Sequence, residues 1–318
     1  MAVGRRDAAY YEAEIPAGNR AAMARAITAV ENEMPEARLV AQAVRNRLGR
    51  ARVIGITGAP GAGKSTLVSK CISGLRARNQ SVGVIAVDPS SPYSGGAILG
   101  DRIRMSDHGG DTGVFIRSLA ARGHLGGLSR TTARVVDVMD AAGLDTVIIE
   151  TVGTGQSEIE IVDLAQTVVV VAAPGLGDEI QAVKAGILEI ANFLVVTKSD
   201  MPHARRTARQ LSQAMSLSEQ QEGGIPVLLT SAAKGEGIDA LLDALDGHQE
   251  KFSRQARIEA ARNRSRKLLA LAASQVIQES VAALPAQILD DLENAVLDGQ
   301  LDPTEAAREA ARRALGRA

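Results

Sequence analysis

Residues 58 to 65 read Gly58-Ala59-Pro60-Gly61-Ala62-Gly63-Lys64-Ser65, with Thr66 next. This is the spacing G-x-x-x-x-G-K-[ST], in which each fixed position has a physical task. Gly58 and Gly63 allow the tight turn that aims successive backbone N–H groups at a phosphate. Lys64 reaches the β- and γ-phosphates, and the Ser65 hydroxyl is a ligand for Mg²⁺. The flanks fit. Residues 53–57 are a short apolar strand, and 65–70 open an amphipathic helix whose N-terminus favours anions.

Three acidic residues stand where such a site needs them. Asp88 ends a second strand, where a carboxylate orients attacking water or holds the metal shell. Asp101 sits in the glycine-rich stretch 95–102, and Glu150 ends a further strand just before Gly153. Ligands of doubly wound sheets collect at the carboxyl ends of strands. A Glu150 carboxylate there reaches Mg²⁺ directly or through water, and the Gly153 amide approaches a γ-phosphate closely. Each acid alone is an ordinary surface or capping residue; together, beside a phosphate loop, they read as a metal and water shell. Lys64, Asp88 and Glu150 are the expected catalytic groups, and Ser65, Asp88, Asp101 and Glu150 the expected metal shell.

Base identity rests on Thr197-Lys198-Ser199-Asp200, which matches three features of the guanine-reading pattern [NT]-K-x-D. Asp200 accepts two hydrogen bonds from N1–H and the 2-amino group of guanine. Adenine offers neither, and an unpaired polar group discriminates strongly. The Lys198 stem lies along the base plane. Ser231-Ala232-Ala233-Lys234-Gly235 follows the last strand and resembles the loop whose amide meets guanine O6. In this order, the two loops favour GTP over ATP.

These groups need a scaffold, and the chain supplies one. Apolar strands at 81–87, 144–150, 167–172, 193–197 and 226–229 alternate with helices at 131–142, 178–190, 203–217 and from 238. The alternation predicts an α/β fold with a mainly parallel sheet flanked by helices. Residues 18–49 read as two helices, with Pro35 opening the second. From about 249 the pattern is helical only, over 252–282, 285–298 and 303–316. The expected domains are thus an N-terminal helical extension at 1–49, a nucleotide-binding core at 50–248 and a helical arm at 249–318.

Composition narrows the function. The 318 residues carry a formal net charge of −1, with no Trp, three Tyr and three Phe. No strong field draws the chain to nucleic acid, and aromatic platforms for stacking bases are scarce. No apolar run approaches the roughly 18 residues of a membrane span, and no signal peptide opens the chain. Cys71 is the single cysteine. It excludes an internal disulfide, reads as a small core residue and points to a reducing, cytoplasmic setting. His108 and His124 lack metal-ligand spacing. Arg102, Arg104, Arg117, Arg122 and Arg130 crowd one segment and read as partner or structural contacts rather than an arginine finger. Gln156 is open between positioning water and being a plain loop residue.

The longer motifs resemble the MeaB/ArgK family of GTPases, chaperones of adenosylcobalamin-dependent acyl-CoA mutases. The resemblance runs from about residue 20 to 250. It is carried by GAPGAGKST, VDPSSPYSGGAILGDRIRM, FIRSLAARGHLGGLS, ETVGTGQSE, APGLGDEIQAVKAGILEIA and TKSD. It implies a P-loop GTPase core between an N-terminal helical extension and a C-terminal dimerisation arm, hence a homodimer. It implies Mg²⁺ as cofactor, GTP and GDP as ligands, and slow hydrolysis stimulated by the client. A third switch spans 174–184, with Gln181 and Lys184 as its polar actors, although their own spacing reads as a solvated helix face. The implied partners are the mutase and, functionally, its adenosyltransferase. Methylmalonyl-CoA mutase is the default client; the isobutyryl-, 2-hydroxyisobutyryl- and ethylmalonyl-CoA mutases have similar partners. Thr197 departs from the Asn of many relatives. It offers a hydroxyl but no amide, so guanine affinity is expected to be lower, with specificity kept by Asp200.

Two other classes remain. A metal-insertion GTPase would want a Cys/His ligand cluster, and the chain has one Cys and four His. An ATP-dependent kinase or transport ATPase would need to tolerate adenine, against the order of TKSD and SAAKG.

Overall fold

The computed structural model describes residues 7–89, 106–121, 127–151, 161–175, 188–216 and 225–316. Three short helices come first: α1 (Ala8–Glu14), α2 (Arg20–Glu31) and α3 (Ala37–Val44). Asn19 caps α2 by accepting from the N–H groups of Ala21 and Ala22, which satisfies donors the helix itself leaves open. Then follow β1 (Arg52–Gly58), α4 (Lys64–Ala77), β2 (Val82–Pro89), β3 (Val114–Ala121), α5 (Gly127–Ala141), β4 (Thr146–Glu150), β5 (Thr167–Ala172) and β6 (Phe193–Val196). After them come α6 (Ala204–Ser216), β7 (Val227–Leu229), α7 (Ile238–Gln249), α8 (Arg254–Ala282), α9 (Ala286–Leu297) and α10 (Pro303–Leu315).

The seven strands form one sheet in the order β3-β2-β4-β1-β5-β6-β7, with every pairing parallel. Side chains alternate between faces along a strand, and the apolar residues obey that period. Ile54, Ile56, Val82, Val84, Ile148, Val169, Val171 and Val195 pack against Leu67, Val68, Ile72 and Leu75 of α4 and Leu241, Leu242 and Leu245 of α7. Val168, Val170, Leu194 and Val196 turn to the other face and meet Ala204 and Leu211 of α6. Both faces are thus covered, as a parallel sheet requires.

The strand order fixes where a ligand sits. β1 lies between β4 and β5, and the chain passes from one side of it to the other in going from β4 to β5. That reversal leaves a crevice at the carboxyl end of β1, where the phosphate loop begins. β2 is not adjacent to β1, because β4 stands between them.

Two elements were not anticipated. One is α1. The other is β3, an edge strand carrying Arg117 at its centre. Arg117 forms an ion pair with Glu31 of α2 and donates to Thr28 Oγ1 at 3.2 Å, so its role is structural. At the start of the strand, the Gly113 carbonyl accepts from the Val82 N–H. The flanking carbonyls of Thr112 and Val114, which point the opposite way, accept from one Arg20 guanidinium nitrogen at 3.1 and 2.6 Å. The helix read at 178–190 lies mostly outside the described residues; Leu188–Ile190 is a single 3-10 turn.

The chain forms two compact units, Met1–Arg264 and Ser265–Ala318, so α8 runs through the boundary. In the first unit, Ile258 of α8 closes on Gly49, and Arg264 pairs with Asp137 of α5 at 3.2 Å. Asp140, one turn on from Asp137, accepts from the backbone N–H groups of Gly49, Arg50 and Ala51. In the second unit Leu284, Leu292 and Ala310 form a small core with Val281, Ile288 and Leu289. Asp302 and Glu305 make a capping box at the start of α10, with Pro303 at its first position. No single helix among the described residues is long and apolar enough to cross a membrane.

Candidate functional site

The chain turns from β1 into α4 through residues 58–63, with glycine at each of the three positive-φ positions, Gly58, Gly61 and Gly63. Gly58 has φ +136°, and a Cβ there would lie 2.1 Å from the Val171 carbonyl oxygen of β5. Gly63 caps α4 at φ +88°. Both dihedrals are strained for any side chain. The first turn of α4 then carries Lys64 and Ser65, each 7% exposed, while Thr66 is exposed.

Side chains hold this turn from several directions. Lys64 Nζ donates to the carbonyls of Gly58 and Ala59 at 2.6 and 2.9 Å. Lys198 Nζ donates to the Gly61 carbonyl at 3.1 Å, which its left-handed backbone (φ 51°) permits. Thr197 Oγ1 donates to the Ala62 carbonyl at 2.5 Å. Pro60 is exposed at the turn's tip. The phosphate loop and the residues read as base-binding are therefore in direct contact.

Glu150 is 3% exposed at the end of β4, level with Ile56 of β1 and Ala86 of β2. Its Oε1 accepts from Ser65 Oγ at 2.6 Å. A hydroxyl and a carboxylate converging on one point form the hard oxygen donor set that suits Mg²⁺. These two residues fit the ion. Immediately after Glu150, the Thr151 hydroxyl donates to Thr57 Oγ1 at 2.8 Å with both groups buried, tying the end of β4 to the root of the phosphate loop. Asp88 lies two residues beyond Ala86 on β2, level with Ala120 of β3; its side chain falls outside the described residues. Asp101, Gly153, Gln156, Gln181, Lys184 and His124 also lie outside them, as do Arg102, Arg104 and Arg122 and the side chain of Arg130.

The base-reading loops meet each other as well. Ser231 Oγ donates to Asp200 Oδ1 at 2.5 Å. That hydrogen bond, the residue's own backbone N–H and the nearby Lys234 hold the Asp200 carboxyl below the usual carboxylate range. Asp200 is accordingly an anionic acceptor at neutral pH, as recognition of two guanine donors requires. The 231–236 loop is closed by reciprocal backbone bonds between Ser231 and Glu236, with Ala233 exposed and Ala232 half-buried. Sequence reasoning placed an amide donor in the 231–235 loop and missed the Ser231 hydroxyl. It also missed the Thr57–Thr151 pair and the grip of Thr197 on Ala62. Only the β1–β4 and β5–β6 registers bring those partners together.

Two residues lie outside the chemistry. Cys71 is buried under the sheet in α4, and burial pushes its thiol up to about 12. His108 Nε2 sits 3.0 Å from Ser69 Oγ and 3.1 Å from the Ser69 carbonyl, a packing contact on α4.

The comparisons with known proteins bear on the family and the fold. Residues 23–285 match the family model described as "Methylmalonyl Co-A mutase-associated GTPase MeaB". A protein of Pyrococcus horikoshii named as a GTPase is 41% identical over 305 residues, 94% of this chain and 96% of the relative. The mitochondrial methylmalonic aciduria type A homolog of Mus musculus is 35% identical over 316 residues, covering 91% of this chain and 75% of that protein. Among solved structures, one titled as a LAO/AO transport system kinase superposes with a TM-score of 0.73 at 24% identity, over 96% of each chain; it supports the fold. With a family model spanning 23–285 and a relative at 41% identity across nearly the whole length, the chain belongs to the MeaB family of GTPases.

Proposed function

We propose that the chain is a GTP-hydrolysing chaperone of an adenosylcobalamin-dependent acyl-CoA mutase. One observation carries the nucleotide part. Phosphate loop, metal-fitting pair and base-reading carboxylate share one end of the sheet, and Thr197 and Lys198 bond directly to the loop. The turn 58–63 and Lys64 hold the phosphates, Ser65 and Glu150 hold Mg²⁺, and Asp200 selects guanine. Asp88 and Asp101 complete the metal and water shell, and Gly153 meets the γ-phosphate. The metal neutralises phosphate charge when bound; the chain's own residues position and desolvate the nucleotide, the main task in phosphoryl transfer.

The mutase part is supported by the family description and by the mouse relative's name. Hydrolysis would be slow alone and faster with the client. The nucleotide state would be signalled through 152–160 and 174–184, with Gln181 and Lys184 as the polar actors. The outcome would be gated delivery of the cofactor from an adenosyltransferase and protection of the loaded mutase. Methylmalonyl-CoA mutase is the first client to try. The helical arm would pair two copies, supported by exposed Leu269, Val276 and Leu297 on its helices. A cytoplasmic setting suits this role.

The test is phosphate release with Mg²⁺ from GTP and from ATP, alone and with a candidate mutase. GTP-selective turnover that rises with the mutase supports the whole reading. GTP turnover indifferent to every such mutase removes the client, and faster ATP than GTP turnover removes the base assignment. Lys64→Ala should lower turnover on the order of a hundredfold.

A further inference from the structure

Thr197 stands in the base-reading tetrad, yet its hydroxyl is directed to the phosphate loop. The residue is 4% exposed. Its Oγ1 lies 2.5 Å from the Ala62 carbonyl and 3.2 Å from the Ala172 carbonyl. A hydroxyl has one proton to donate, and the shorter contact takes it. The same oxygen lies 3.5 Å from the point a Gly63 Cβ would occupy, so Thr197 packs directly beneath the last residue of the turn.

The planar peptide bond gives this contact a consequence. A carbonyl and the N–H of the next residue belong to one trans unit and point in opposite directions. Holding the Ala62 carbonyl therefore aims the Gly63 N–H away from Thr197. Amides so aimed at a helix N-terminus bind phosphate. The neighbouring Ala62 N–H is already engaged by the Ala59 carbonyl, which leaves Gly63 as the amide this contact governs.

We infer that Thr197 is a positioning residue for the phosphate end of the nucleotide, acting through Ala62 and the Gly63 amide, and that base selection rests on Asp200 alone of the pair. The inference rests on the guanine-nucleotide reading above. It makes two properties separable: affinity shared by all nucleoside diphosphates, and preference for guanine.

The experiment is calorimetric titration of the full chain with GDP and with IDP, which lacks the 2-amino group. Thr197→Val removes the hydroxyl and keeps the shape; Thr197→Ala does the same without placing a methyl against the Ala62 carbonyl, and serves if the first variant fails to fold. Either should weaken GDP and IDP by the same factor, about tenfold, leaving their ratio unchanged. Thr197→Ser keeps the hydroxyl and should restore both affinities. Asp200→Asn should do the reverse, collapsing the GDP/IDP ratio. Unchanged affinities in Thr197→Val and Thr197→Ala, or a loss confined to GDP, would overturn the inference while leaving the guanine-nucleotide reading intact. Failure of the unaltered chain to prefer GDP would overturn that reading and the inference with it.

Discussion

Ser65 Oγ donates to Glu150 Oε1 across 2.6 Å, joining the helix that leaves the phosphate loop to the end of β4. Both residues are buried, and neither contact is available from local sequence. They are 85 residues apart and meet because β1 and β4 are parallel neighbours in register at Ile56 and Glu150. If this pair shares a divalent cation, Ser65→Ala and Glu150→Gln should each lower apparent Mg²⁺ affinity about tenfold or more. The readout is a Mg²⁺ titration of GTP hydrolysis. Superimposable curves for the variants and the unaltered chain would exclude the assignment.

Gly58 and Gly61 both have positive φ, at 136° and 76°, but differ in what surrounds them. A Cβ on Gly58 meets a backbone oxygen of β5; one on Gly61 meets nothing within 4 Å. Gly61→Ala should therefore cost only the left-handed strain, about 1 kcal/mol. Gly58→Ala must also displace the strand or the loop, at roughly 1–3 kcal/mol more. Chemical denaturation ranks the two, and GDP titration should show the larger loss for Gly58→Ala. Equal losses would mean that the loop yields where the strand was expected to resist.

Asp137 gives a pH-dependent prediction. Burial pushes its carboxyl from an ordinary 3.8 up to about 6, and neighbouring Asp140 adds to the rise, against the opposing pull of Arg264 and Arg134. With a folded value above the unfolded one, the folded chain binds more protons between them. This residue's contribution to stability is thus fully present below 3.8 and is lost as pH rises to about 6. Asp137→Asn removes the titration. Its melting temperature, subtracted from that of the unaltered chain at each pH, should show a slope across that window. A flat difference would mean that the Arg264 pair cancels the effect of burial.

Cys71 supplies a simple test of the core. A thiol pushed up to about 12 and packed beneath β1 should resist alkylation at neutral pH while the chain is folded, and react on denaturation. Ready modification of the native chain would mean that α4 opens far more often than its packing implies.

The phosphate loop was legible because its information is local. Gly58, Gly63, Lys64 and Ser65 lie within eight residues, and strand, turn and helix follow in sequence. The buried strands were legible because parallel strands covered on both faces are apolar throughout. β3 was not, because Arg117 interrupts its apolar run and its compensation by Glu31 and Thr28 comes from residues 86 and 89 positions away. The roles of Ser231, Thr151 and Thr197 hid for a similar reason: a hydroxyl in a sequence names no partner. TKSD suggested a base and gave no sign that its first residue reaches back to Ala62.

The contact of Arg20 with the outward carbonyls of Thr112 and Val114 bears on how copies of this chain can associate. A sheet has two borders, each a row of unspent peptide groups that another strand could adopt. One border here is β7, three residues long. The other, β3, is plugged at its start by a guanidinium and carries a charged side chain midway. Strand-by-strand growth is discouraged at both. Among the described residues, the sheet thus keeps its unspent peptide groups out of reach of accidental polymerisation.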